Sequence, residues 1–224
     1  MPVSVAVVPQ TPLLVPEIAA GAAGELETLR SYAIDAVREV TSDADRVLVL
    51  APGPADARFD DVAADFTPYG YGERSSDATG TGAGVRPGSA LPLGAWLLDA
   101  VGTTVPRVFA ETSGEAVDLP VNGRTALVVL ADGSAKRDKT APGYVDVRAL
   151  AFDAVIGTAL ASADLDALGA LDPALAADLW ASGVPAFRAL AATVRVDGGD
   201  EIAAQLTYDG SPYGVAYWVA VWRG

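Results

Sequence analysis

The stretch "VSVAVVPQTP", Val3 to Pro12, decides how the chain is read. Val3 to Val8 is short, apolar and largely β-branched, which is the signature of a buried strand. Pro9 ends it, because proline has no N–H to give to a ladder. A strand apolar on both faces belongs in a sheet covered by helices on both sides. Working outward, Leu26, Leu29, Ala33, Ala36, Val37 and Val40 fall on one helical stripe between Glu25 and Val40. "RVLVLA", Arg46 to Ala51, is a second buried strand, closed by Pro52-Gly53-Pro54. Strand, helix, strand is a βαβ unit, so the two strands should be parallel with a right-handed crossover.

Further elements extend that unit. "GAWLLDAVG" reads as a helix, "PRVFAE" as a strand and "RTALVVLAD", Arg124 to Asp132, as a central strand. Arg148 to Val194 is helical and alanine-rich, with breaks at "SADLD", "LDPAL" and "SGVPA". Asp172 before Pro173 is an N-cap followed by proline at the first helical position, and Asp164 can cap similarly. "EIAAQLTYDGSPYGVAYWVAVW" reads as a C-terminal β-hairpin turning at its Asp-Gly. The expected fold class is α/β: one domain over 1–224, three layers α/β/α, with a mostly parallel or mixed central sheet. Tyr69 to Ser89 lacks apolar periodicity and is expected to be a long mobile loop. The four tryptophans, Trp96, Trp180, Trp218 and Trp222, lie within these elements and are expected in the core.

Composition excludes several functions. The 224 residues carry a net charge of −14, which argues against nucleic acid and anionic membrane surfaces as partners. There is no cysteine and no histidine, so thiolate catalysis, disulfides and the commonest metal ligand are absent together. The start "MPVSVAVVPQ" has no basic region or cleavage-like segment, and no apolar run is long enough to span a bilayer. A cytoplasmic protein is the expectation.

Ligands of open α/β sheets bind outside the carboxyl ends of the parallel strands. Three strands end in polar or Gly/Pro turns: "PQTP", "PGPAD" and "DGSAKRDK". Gln10, Thr11, Gly53, Asp132 and Ser134 should therefore line one cleft, with Ala135, Lys136 and Arg137 beside them. Asp132 either caps its own turn or serves a ligand or proton there. Ser134 lacks a histidine to activate it as a nucleophile. The chain's two lysines, Lys136 and Lys139, flank Arg137, a cationic cluster suited to a small anionic ligand between this loop and Gln10.

Several of these segments resemble class III extradiol ring-cleavage dioxygenases of the catalytic B-subunit, LigB-like, type, a superfamily that includes the Memo proteins. "VVPQTPLLVPEI" is similar to the family's opening, apolar-Pro-His-x-Pro-Leu-Leu-apolar-Pro. "VLVLAPGP" is similar to its second segment, a strand running into Ser-Pro-His-Gly. "VVLADGSAKRDKTAPGYVDVRALAFD" is similar to its third, Gly-Asp-Leu-Ser-His-Arg followed by Ala-Pro-x-Gly-Tyr and a helix with Phe-Asp. "LPLGAWLLD" and "LTYDGSPYGVAY" also fit.

The resemblance implies Fe(II) held by two histidines and a carboxylate, with a further histidine as acid/base. Those positions fall here on Gln10, Gly53 and Ala135, and the late carboxylate falls near Gly183 or Val184. None supplies the expected group, so no catalytic residue, metal or cofactor is assigned. The resemblance then implies a dioxygenase-like scaffold without its iron site, binding a small molecule, an anion or a partner protein. Two alternatives stand beside it. One is an oxidoreductase or hydrolase with a non-histidine metal site, Mg²⁺, Ca²⁺ or Mn²⁺, on Gln10, Asp132 and another carboxylate. The other is a structural subunit of an enzyme complex or a homo-oligomer.

Overall fold

The structure, a computed structural model, describes residues 3–71, 85–114, 123–196 and 202–224. Most of the expected loop at Tyr69 to Ser89 lies outside these residues.

The chain folds as an α/β protein around a mixed seven-stranded sheet in the order β3-β4-β2-β5-β1-β7-β6. The strands are β1 (Val3–Val8), β2 (Arg46–Pro52), β3 (Ala57–Phe59), β4 (Arg107–Thr112), β5 (Thr125–Leu130), β6 (Ala203–Gly210) and β7 (Tyr217–Arg223). The helices are α1 (Pro16–Ala19), α2 (Glu27–Thr41), α3 (Leu91–Ala100), α4 (Ala149–Ser162), α5 (Leu165–Gly169), α6 (Pro173–Asp178) and α7 (Val184–Val196). β4, β2, β5 and β1 pair in parallel, as their two-sided apolar runs require. β5 inserts between β1 and β2, with Val5 opposite Leu127 and Leu48 opposite the same residue. The first βαβ unit therefore spans one intervening strand.

Alternation along the strands divides the core in two. Val5, Val7, Leu48, Leu50, Leu127 and Val129 face one layer, packed with Phe152, Ile156, Phe187 and Leu190 of α4 and α7. Ala6, Val8, Val49, Val128 and Leu130 face the other, packed with Leu29, Val37 and Leu97 of α2 and α3. Helices on both faces make the three layers. The stripe on α2 is buried as its spacing predicts, with Leu29, Ala33, Ala36, Val37 and Val40 inside. Asp164 and Asp172 accept from Ala167 N and Ala174 N at 2.9 and 2.8 Å, capping α5 and α6.

Three features differ from expectation. The hairpin forms, but Asp209 and Gly210 belong to β6 and the chain turns through a 3₁₀ segment at Pro212–Gly214. β3 is an additional short strand, antiparallel to β4 at the sheet edge. Trp218 and Trp222 are fully buried, whereas Trp180 is 54% exposed.

Candidate functional site

Gln10 follows β1, Gly53 follows β2 and Asp132 follows β5, so three adjacent parallel strands deliver their carboxyl-end turns to one place. They line a cleft of about 440 Å³ with Thr11, Arg86 and Ser182. The turns are tied across the chain. The Gln10 N–H donates to Asp132 Oδ1 at 2.9 Å. Gln10 Nε2 donates to Ser182 Oγ at 2.6 Å. The Gly183 N–H donates to the Asp132 carbonyl at 3.2 Å. Asp132 thus takes its N–H from the loop after a neighbouring strand rather than from its own turn.

Asp132 is the chemically distinctive group here. It is 8% exposed, and burial pushes its carboxyl up to about 7 against the lowering effect of the Gln10 N–H. A buried acid without a cation beside it holds its proton near neutrality. The Tyr217 phenol, hydrogen-bonded with Thr11, is itself raised by burial and then by the Asp132 carboxylate.

Gly53 and Gly183, at or near positions where the resemblance would place ligands, are both closely packed. A Cβ on Gly53 would lie 2.6 Å from Glu111 Cβ and 2.8 Å from its Oε2. Glu111 sits at the carboxyl end of β4, is 3% exposed, accepts from Ser89 Oγ and pairs with Arg86 Nε at 3.5 Å. A Cβ on Gly183 would lie 2.3 Å from the Asp132 carbonyl oxygen and 2.4 Å from its nitrogen. Val184 is buried in the core. Among the described residues lining the cleft, the side-chain groups that could face a metal are the Gln10 amide, the Thr11, Tyr69 and Ser182 hydroxyls and the Asp132 carboxyl, which do not fit the two-histidine, one-carboxylate Fe(II) set. Among the described residues, no three of His, Cys, Asp and Glu gather as a metal would need.

The loop after Asp132 turns away from the cleft. Gly133 N–H and Ser134 C=O hydrogen-bond with Ala216 ahead of β7, each at 2.9 Å. That places Ser134 in the interior, fully buried, donating its hydroxyl to Asp153 Oδ2 at 2.6 Å and its N–H to Oδ1 at 2.9 Å. Arg137 Nε lies 3.7 Å from the same Asp153. Burial raises the Asp153 carboxyl, with the Ser134 hydrogen bonds and then Arg137 opposing. Lys136 Nζ lies over the Trp180 ring, 5.1 Å from its centre. Ala135 lines a second cavity with Trp180. The expected cationic cluster is therefore divided, and neither Lys136 nor Arg137 lines the Gln10 cleft; among the described residues the cation that does is Arg86.

Sequence reasoning missed Glu111, Arg86 and Ser182. Glu111 was accessible to the rule that found Asp132, since "PRVFAE" places it at the carboxyl end of a strand. Arg86 and Ser182 carry no such signal. Among the described residues, no helix is long and apolar enough to cross a membrane. Compared with family models and with curated proteins, the chain matches none.

Proposed function

We propose that this chain is a binding protein on a LigB-like, extradiol-dioxygenase-like scaffold, holding a small polar molecule in the Gln10–Gly53–Asp132 cleft without iron chemistry. The ordered run of sequence segments set out above supports the scaffold assignment. Asp132 is the observation that carries the binding assignment. A carboxyl at the wall of an open cleft, buried and met by a single N–H, is costly to the fold. A ligand hydroxyl, amine or amide that donates to its remaining acceptor capacity offsets that cost. An anionic group on the ligand would meet Arg86, whose guanidinium has five donors and whose partner Glu111 is 3.5 Å away.

A thermal-shift screen of small hydroxy acids, amino acids and sugar acids tests this. A ligand at about 100 times its dissociation constant stabilises by about 2.7 kcal/mol. For a domain of this size that raises Tm by about 5–10 °C. The shift should vanish in Asp132→Ala and weaken in Arg86→Gln. If no compound shifts Tm, the cleft is not a small-molecule site. A stoichiometric protein partner recovered with the chain would then favour the subunit reading.

A further inference from the structure

We propose that a second ligand site adjoins the cleft, an apolar cavity that takes a straight-chain alkyl anion, its tail against Trp180 and its charged end at Arg188. The cavity has a volume of about 640 Å³, within the range of small-molecule pockets. It shares Ser182 and Pro185 with the cleft but differs in character. Its walls are Pro173, Ala176, Ala177, Ala181, Val184 and the Trp180 indole.

Trp180 is the tryptophan that the fold leaves outside. It follows α6 in the left-handed region, φ +56°, at a helix C-terminus where glycine is usual. The Trp180 N–H donates to the Ala177 carbonyl at 3.2 Å and the Ala181 N–H to the Ala176 carbonyl at 2.8 Å, so this is the helix's own terminal turn. A bulky side chain in that conformation is strained, and here it is also half in water. Lys136 covers the ring from the loop after β5.

Charge selects the occupant. Arg188, on α7, lines the cavity. Its Nη1 donates to the carbonyls of Gly169 and Leu171 at 3.0 and 2.9 Å, which fixes the guanidinium in place. Among the described residues no carboxylate is seen to pair with it, although the chain carries a net charge of −14. An anchored cation beside an apolar chamber is complementary to an anion with an apolar tail. Small alanine and proline walls favour an alkyl chain, since among the described lining residues no second ring stands opposite Trp180 to form a stack.

Calorimetry with butanoate, hexanoate, octanoate and 1-hexanol tests the site. Affinity should rise by about fourfold for each methylene withdrawn from water. Hexanoate should bind at least tenfold more tightly than 1-hexanol. Octanoate should change the emission of Trp180. Trp180→Gly suits the local φ, so it folds, and should weaken octanoate about tenfold. Ala177→Trp, at an exposed position of α6, should fill the cavity and abolish octanoate binding. A flat chain-length series, equal binding of acid and alcohol, or an unaffected Ala177→Trp overturns the proposal. Arg86→Gln separates the two sites, since Arg86 lines the cleft and not the second cavity. Unchanged octanoate binding there supports a distinct cavity, whereas its loss puts the anion in the cleft and removes the second site. Failure of the polar-ligand screen with an intact octanoate series would overturn the cleft reading alone.

Discussion

Replacing Asp132 with asparagine should stabilise the protein at pH 8 and change it little near pH 4. The carboxyl is buried at the end of β5 and its pKa rises from 3.8 to about 7. The folded state keeps a proton that the unfolded chain releases. The stability contributed by the protonated acid is therefore complete below pH 3.8 and is lost as pH rises through 7. A separation of about three pKa units at about 1.36 kcal/mol each gives about 4 kcal/mol. Asparagine keeps an oxygen to accept the Gln10 N–H and never ionises. By pH 5 about a third of the loss has already occurred, so the gap between variant and parent should widen by about 2–3 kcal/mol from pH 5 to pH 8.

Urea unfolding of both chains at pH 5, 6, 7 and 8 measures this gap, provided their m-values agree. Other shifted carboxyls, Asp153 raised and Asp45, Asp138 and Asp146 lowered, are common to both chains and cancel in the difference. A gap that stays constant to within about 0.5 kcal/mol across this range would refute the burial argument for Asp132. It would also remove the physical basis for a ligand donor there.

Three further outcomes are expected. Gly183→Ala should destabilise by about 3 kcal/mol or more and lower Tm by about 6–12 °C, because its Cβ meets the Asp132 backbone at 2.3 Å. Ser134→Ala should cost about 1–3 kcal/mol by leaving buried Asp153 without its hydroxyl partner, measured by urea unfolding. Ligand binding in the cleft should be unaffected by that change, since Ser134 does not line it. Gln10→His combined with Gly53→His should still hold far less than one iron per chain by elemental analysis, because the new side chain at 53 collides with Glu111 and no carboxylate stands at 183.

What could be read in advance follows from what burial imprints on sequence. β1, β2 and β5 are covered on both faces, so each became an unbroken apolar run ending in proline or a polar turn. α2 is covered on one face, so its core residues recur at helical spacing. Convergence of Gln10, Gly53 and Asp132 followed from parallel strands alone. The direction of the loop after Asp132 did not, because it depends on hydrogen bonds to Ala216, a residue brought there by an antiparallel strand from the far end of the chain. That contact sends Ser134 inward and Arg137 to Asp153, so a cluster compact in sequence is divided in space. Trp180 was hidden for a different reason: apolar residues in a helical run look alike, and only the left-handed turn after α6 puts this one outside.

Gly53 and Gly183 stood out in the sequence only through a resemblance, and packing gives them a meaning independent of it. At 53 the space belongs to Glu111, itself held by Ser89 and Arg86. At 183 it belongs to the backbone of Asp132, the residue on which the proposed ligand contact rests. The close approach that leaves no room for a side chain at 183 is made by the backbone of Asp132, whose carboxyl is itself raised by burial. A side chain at 183 would have to push that backbone away, expose Asp132 to water and return its carboxyl toward the ordinary range. Tight packing at 183 and the proposed ligand contact at Asp132 thus rest on the same turn.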